Sequence, residues 1–249
     1  MPAAAPLILA WCDDEFLQGH QLSAWITDYV DVEESLAVGS MAQDHLAHAA
    51  ALLGACGFTA VDRDGHIYER PASEWYPSRL SLLPEHDWPA TVVRQLLFNR
   101  ATLVMRRYLQ IPDRPRMQQL AELVRAEQDV HSTHWERWVR ILASDDELSE
   151  ELADRLKRAA DDAADLFGLP EGAKDPDVLL VGASRAEMQH QWAEEVSATL
   201  ERLGAAVPPL PVDPVPRAPG HIFEALAGIL AELRFSRGPE GARPYEVYR

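Results

Sequence analysis

The chain has 249 residues and 27.8 kDa, and its 47% hydrophobic content can build a true core for one large domain or two small ones. A formal net charge of -17 and a pI near 4.8 exclude nucleic acid or an anionic membrane as the main partner, because like charges repel. Cys12 and Cys56, the two cysteines, exclude a disulfide framework and suit a reducing cytoplasm, where each serves as a small buried apolar residue.

The opening from Pro2 to Trp11 carries no basic segment and runs into Asp13, Asp14 and Glu15, so it does not read as a secretory signal. No segment approaches the roughly 20 apolar residues of a membrane span. The expected location is the cytoplasm. The acidic surface either keeps the chain dispersed or complements a more basic subunit.

Ile8, Trp11, Cys12, Leu22, Trp25, Ile26 and Tyr29 recur at helical spacing and predict one amphipathic helix over about 7–30, with Glu15 on its apolar stripe. A second helix, about 32–56, starts at Asp31 with Glu33 and Glu34 in its first turn and ends near Gly54 and Gly57. Pro71, Trp75, Tyr76, Pro77 and Pro84 then break periodicity through residue 87. A connection that long is functional or packed as a cap, here with a short helix about 79–83. Helical pattern returns over about 88–110, stops at Pro112 and Pro115, and resumes over about 116–143 through Leu120, Leu123, Val124, Trp135, Trp138, Val139 and Leu142.

These four helices form the expected bundle core, about 7–143. Further helices follow over about 147–206: a charged one from 147 to 167 that stops at Gly168, and one from 176 or 184 to 203. A Pro-rich strap covers 207–219 and a last amphipathic helix about 221–236. No strand-like alternation of useful length occurs, so the class is all-α, a single domain over 1–249.

Residues three apart share a helix face, and a four-helix bundle that holds two irons presents Glu-x-x-His from two helices and one further Glu from each of the others. Here those positions hold His45 and His48 on the second helix and Gln128 and His131 on the fourth; the inward polar residue of the third is Asn99. Only Asp13, Asp14 or Glu15 is left to supply an anion, and two divalent irons in an apolar interior would be under-neutralised.

In a second register, Asp44 with His48 and Glu127 with His131 stand four apart. With Glu15 or Asp14 nearby, such faces could bind one transition metal, form carboxylate–imidazole hydrogen bonds without metal, or lie exposed. His134 reads as a helix-face or interface residue, His20 as packed or capping, Trp135 and Trp138 as core or subunit contacts, and Arg94 as paired with an inward acid or solvated. Nothing reads as a Walker loop, a dinucleotide Gly-rich turn, a Cys-x-x-Cys pair or a Gly-x-Ser-x-Gly elbow.

Taken in order, Asp13-Asp14, Gly19-His20-x-Leu22-Ser23-x-Trp25, Asp44 with His48, Arg94-Gln95-x-x-Phe98, Glu127-x-x-x-His131 with Trp138, and Glu224-x-Leu226 through Leu230-Ala231-Glu232 resemble the phenylacetic acid catabolic proteins. The pattern is similar to that of their C-type subunit in ring-1,2-phenylacetyl-CoA epoxidase complexes. Asn99 in place of an aspartate, Glu15 in place of a small or apolar residue, the pair His45 and His48, and residues 58–87 depart from that pattern. The resemblance implies a ferritin-like up-down four-helix bundle with additional C-terminal helices. It also implies an A-type partner that holds the di-iron centre and the CoA thioester, with no catalytic or cofactor residue carried over to this chain.

The expected function is thus a non-catalytic structural subunit that supports the A-type subunit, with homo-oligomerisation possible and Trp135, Trp138 and Glu224 as interface candidates. Its competitor is a ferritin-like oxidase or oxygenase with Glu15, Asp44, His48, Glu127 and His131 as ligands. A diverged paralogue serving another oxygenase, or a free-standing assembly factor, completes the set.

Overall fold

The structure is a computed structural model and describes residues 6–27, 31–83, 87–108, 115–173 and 183–237. Among them it is all-helical: α1 (Pro6–Ala24), α2 (Val32–Ala55), α3 (Ala60–Asp64), α4 (Trp88–Tyr108), α5 (Pro115–Ala143), α6 (Asp146–Asp162), α7 (Arg185–Leu203) and α8 (Glu224–Arg237). Four long helices make the bundle, in keeping with a ferritin-like fold: α1 packs along α2, α4 along α5, and α2 against α5, while α6 and α7 cover the α4 side.

Local chemistry sets most of the helix ends. Asp31 caps α2 by accepting the Glu34 N–H at 2.6 Å, and Asp87 accepts the Ala90 N–H at 2.8 Å at the start of α4. Pro115 opens α5 at the position where its missing N–H costs nothing. Ser184 and Glu187 form a reciprocal capping box on α7, which closes at Gly204 with a left-handed φ of 76°.

Two predicted helices end early, each because tertiary partners take over the last turn. The first stops at Ala24 rather than running to 30. Trp25 turns inward to donate Nε1–H to Thr91 at 3.1 Å and to meet Trp88 edge-on at 5.1 Å, and Ile26 is left exposed; Tyr29 lies outside the described residues. Helix α6 stops at Asp162 rather than 167, since the carbonyls of Ala163, Ala164 and Leu166 accept from Gln189, Val215 and Arg217 instead of continuing the helix. The Gly168 Cα lies so close to the strap that a Cβ there would sit 2.0 Å from the Val215 carbonyl oxygen. Only glycine fits.

The long connection is a packed cap. It comprises α3, a π-helical turn over 65–69 and 3-10 turns over 72–74 and 80–82, the last at the predicted short helix. Trp75 is enclosed, with the Arg70 guanidinium 4.2 Å over its ring. From 176 to 182, where an earlier start of the sixth helix was open, the chain lies outside the described residues.

The strap wraps its own chain. Arg217, fully buried, pairs with Asp14 at 2.6 Å and donates to the carbonyls of Ala10, Tyr76 and Leu166, while the Val215 and Arg217 N–H groups reach the carbonyls of Ala164 and Leu169. Beside it, buried Asp165 accepts the Arg79 N–H at 3.2 Å. Burial, together with neighbouring Asp14, pushes the Asp165 carboxyl up to about 7 against the pull of Arg217 and Arg79. A folded-state value above the ordinary one means that Asp165 stabilises the fold fully below its usual range, and that this contribution is lost as pH rises through 7. Urea midpoints are expected to fall between about pH 4 and 7, and Asp165→Asn to flatten that slope.

Candidate functional site

Three consecutive acids on α1 are all buried, and a turn of about 100° per residue sends each in a different direction. Asp13 turns to Arg70 and the Tyr76 N–H, and Asp14 to Arg217 and the Ser78 N–H. Glu15 alone enters the bundle centre. Its Oε2 lies 2.6 Å from His45 Nδ1 and 3.5 Å from His48 Nδ1, while Oε1 accepts from Trp11 Nε1–H at 3.3 Å and lies 3.5 Å from Thr102 Oγ1.

Carboxylate and imidazole do pair, but across the bundle rather than along one helix. His48 Nε2 lies 2.5 Å from Glu127 Oε2, and His131 Nε2 lies 3.0 Å from Asp44 Oδ2. Of the alternatives left open by the spacing, carboxylate–imidazole hydrogen bonding is the one seen, but with partners exchanged: Asp44 meets His131 and Glu127 meets His48. Helices α2 and α5 run antiparallel, with 44 opposite 131 and 48 opposite 127, so each acid meets the facing helix before its own neighbour four residues away. Asp44 and Glu127 form the half-buried rim of the cluster, while Glu15, His45, His48 and His131 lie inside.

Next to the histidines, Asn99 Nδ2–H donates to the Gln128 side-chain oxygen and, at 3.2 Å, to the Gln128 carbonyl, and Ser132 Oγ–H donates to Asn99 Oδ1. An uncharged amide pair therefore fills positions where two irons would need carboxylates. Burial opposes ionisation of Glu15, yet His45 and His48 hold its carboxyl well below the usual range. For His48, burial is outweighed by Glu15 and Glu127, and its value rises to about 9. His131 is pushed down to about 4 by burial and by the neighbouring His45 and His48, against Asp44. The centre is a self-neutralised acid–imidazole network.

These residues do not fit a di-iron centre. Glu15 is the one fully buried carboxylate of the cluster, Asp44 and Glu127 sit at the rim and are taken by His131 and His48, and Asn99 and Gln128, where further carboxylates are needed, are engaged with each other. Reasoning on the sequence singled out Glu15, Asn99 and the histidines but missed Thr102 and Ser132. Thr102 stands three residues after Asn99, and Ser132 four after Gln128, each on the inward face already marked, which is the signal that could have found them.

The remaining sequence candidates lie apart. Trp135 is fully enclosed against Trp88 and His134, which corrects its reading as an interface residue: it offers no surface. Trp138 is half-buried, edge-on to Trp88 at 5.1 Å, and Glu224 is exposed at the start of α8. His20 stacks on Phe16, His134 lies 2.7 Å from Glu34, and Arg94 is buried rather than solvated. No described helix is long and apolar enough to cross a membrane.

The sequence model of the phenylacetic acid catabolic protein family matches residues 2–238, nearly the whole chain, and the chain belongs to that family. Membership implies involvement in phenylacetate catabolism. No curated protein matches the chain.

Proposed function

With that membership as the premise, we propose that this chain is the non-catalytic structural subunit of a bacterial oxygenase that epoxidises phenylacetyl-CoA, working in the cytoplasm beside an A-type subunit that holds the di-iron centre. The observation that carries the reading is the Asn99–Gln128 amide pair, with Glu15 as the one carboxylate at the centre. With an amide at the inward position of α4, and with Glu127 of α5 held at the rim by His48, two irons are short of charge compensation, and the bundle serves as a scaffold.

A supporting subunit needs a surface for its partner. Ile26, Val32 and Leu36 are large, apolar and exposed near the junction of α1 and α2, Ile26 lying over Gly39. We assign the partner interface to this corner together with Trp138 and Glu224. Co-expression with an A-type subunit is expected to yield a complex through affinity and gel-filtration steps, and Leu36→Glu to weaken it while the isolated chain stays folded. A chain that stays monomeric and separate from every A-type subunit of its own cell would sink the proposal.

The competing reading, an oxidase in its own right, draws on the cluster of Glu15, His45 and His48. It predicts oxygen consumption by the chain alone, which the scaffold reading does not.

A further inference from the structure

The donor atoms of Glu15, His45 and His48 all lie within 4.8 Å of one another, and each residue is almost wholly buried. We propose that these three side chains bind a single divalent transition ion of the late first row, a site separate in kind from a di-iron centre. The inference goes beyond the subunit reading and does not depend on it.

Its strongest support is His48. The Nε2 edge is committed to Glu127 at 2.5 Å, while Nδ1, buried and turned toward Glu15, has no hydrogen-bond partner among the described residues. At 3.5 Å, the gap from Nδ1 to Glu15 Oε2 is too wide for a good hydrogen bond. An ion entering there displaces the Nδ1 proton of His48 while Nε2–H stays on Glu127, which gives the carboxylate–histidine–metal arrangement that fixes tautomer and orientation. Glu127 is thus the positioning residue, and Glu15, His45 Nδ1 and His48 Nδ1 are the ligands.

Geometry and charge agree. Tetrahedral metal bonds of about 2.0–2.2 Å place neighbouring donors roughly 3.4 Å apart, so His48 Nδ1, at 3.5 Å from Glu15 Oε2, already stands at that spacing, and the Glu15–His45 contact of 2.6 Å opens by somewhat under about 1 Å. Two imidazoles and one carboxylate select a borderline ion such as Zn2+, Co2+ or Fe2+ over Mg2+ or Ca2+. His131 repeats the pattern, with Nε2 at Asp44 and a buried Nδ1 that has no hydrogen-bond partner among the described residues, its ring 5.4 Å from that of His45.

Equilibrium dialysis of the metal-free full chain against Co2+, read by elemental analysis and by the visible bands of bound cobalt, tests the site. One Co2+ per chain is expected in the wild type and in His20→Gln. His48→Gln should abolish the bands, and Glu127→Gln, at the half-buried rim and least able to upset folding, should weaken binding about 10–100-fold at unchanged stoichiometry. No uptake by the wild type, or equal affinity in Glu127→Gln and wild type, overturns the site as proposed and leaves the subunit reading standing. Two ions per chain overturn both.

Discussion

Arg217→Met is expected to cost about 3–5 kcal/mol, the range for removing one partner of a buried ion pair. The variant strands Asp14, which is wholly buried, and takes the donor away from the carbonyls of Ala10, Tyr76 and Leu166 at once. Because those carbonyls belong to α1, the cap and the end of α6, the strap loses its attachment to all three. At roughly 2–4 °C per kcal/mol for a chain of this size, the melting temperature should fall by something on the order of 6–20 °C. Adding Asp14→Asn should recover part of the loss, since an amide is cheaper to bury alone than a carboxylate. A single-variant cost under about 1 kcal/mol would show that the strap is an ornament rather than a clamp.

Glu15→Ala should come second, at about 3–5 kcal/mol in metal-free protein, for a related reason. It leaves His45 without its 2.6 Å partner, puts His48 between an empty space and Glu127, and strips Trp11 Nε1–H of its acceptor. Glu15→Gln keeps the volume and one acceptor and is expected to lose distinctly less. Equal losses for the two variants, measured by chemical unfolding, would mean that cavity rather than charge governs this position.

What could be read from the chain divides along the range of the interactions. The cap of α2 at Asp31 and the inward turn of Asn99 follow from local spacing and are found where expected, and α5, expected from about 116, starts one residue earlier at Pro115. The end of α1 was not legible, because Trp25 leaves the helix for Thr91, 66 positions away. The crossed pairs of His48 with Glu127 and His131 with Asp44 needed the antiparallel register of α2 and α5, which helical spacing alone does not supply. Trp135 and Trp138 share a helical stripe, yet only the second keeps any surface, since Trp88 and His134 enclose the first. Arg217 gave no local signal: a lone arginine among prolines reads as solvated, and its burial depends on an aspartate 203 positions earlier, 217 minus 14.

The central claim is that this family member supports catalysis without performing it. Anaerobic loading of the isolated chain with ferrous iron, followed by gel filtration, elemental analysis and exposure to oxygen, tests it most directly. The account predicts no more than one iron per chain and no oxygen-dependent turnover of phenylacetyl-CoA when a chemical reductant is supplied. Two irons per chain with oxygen consumption would contradict it and place the chemistry in this chain.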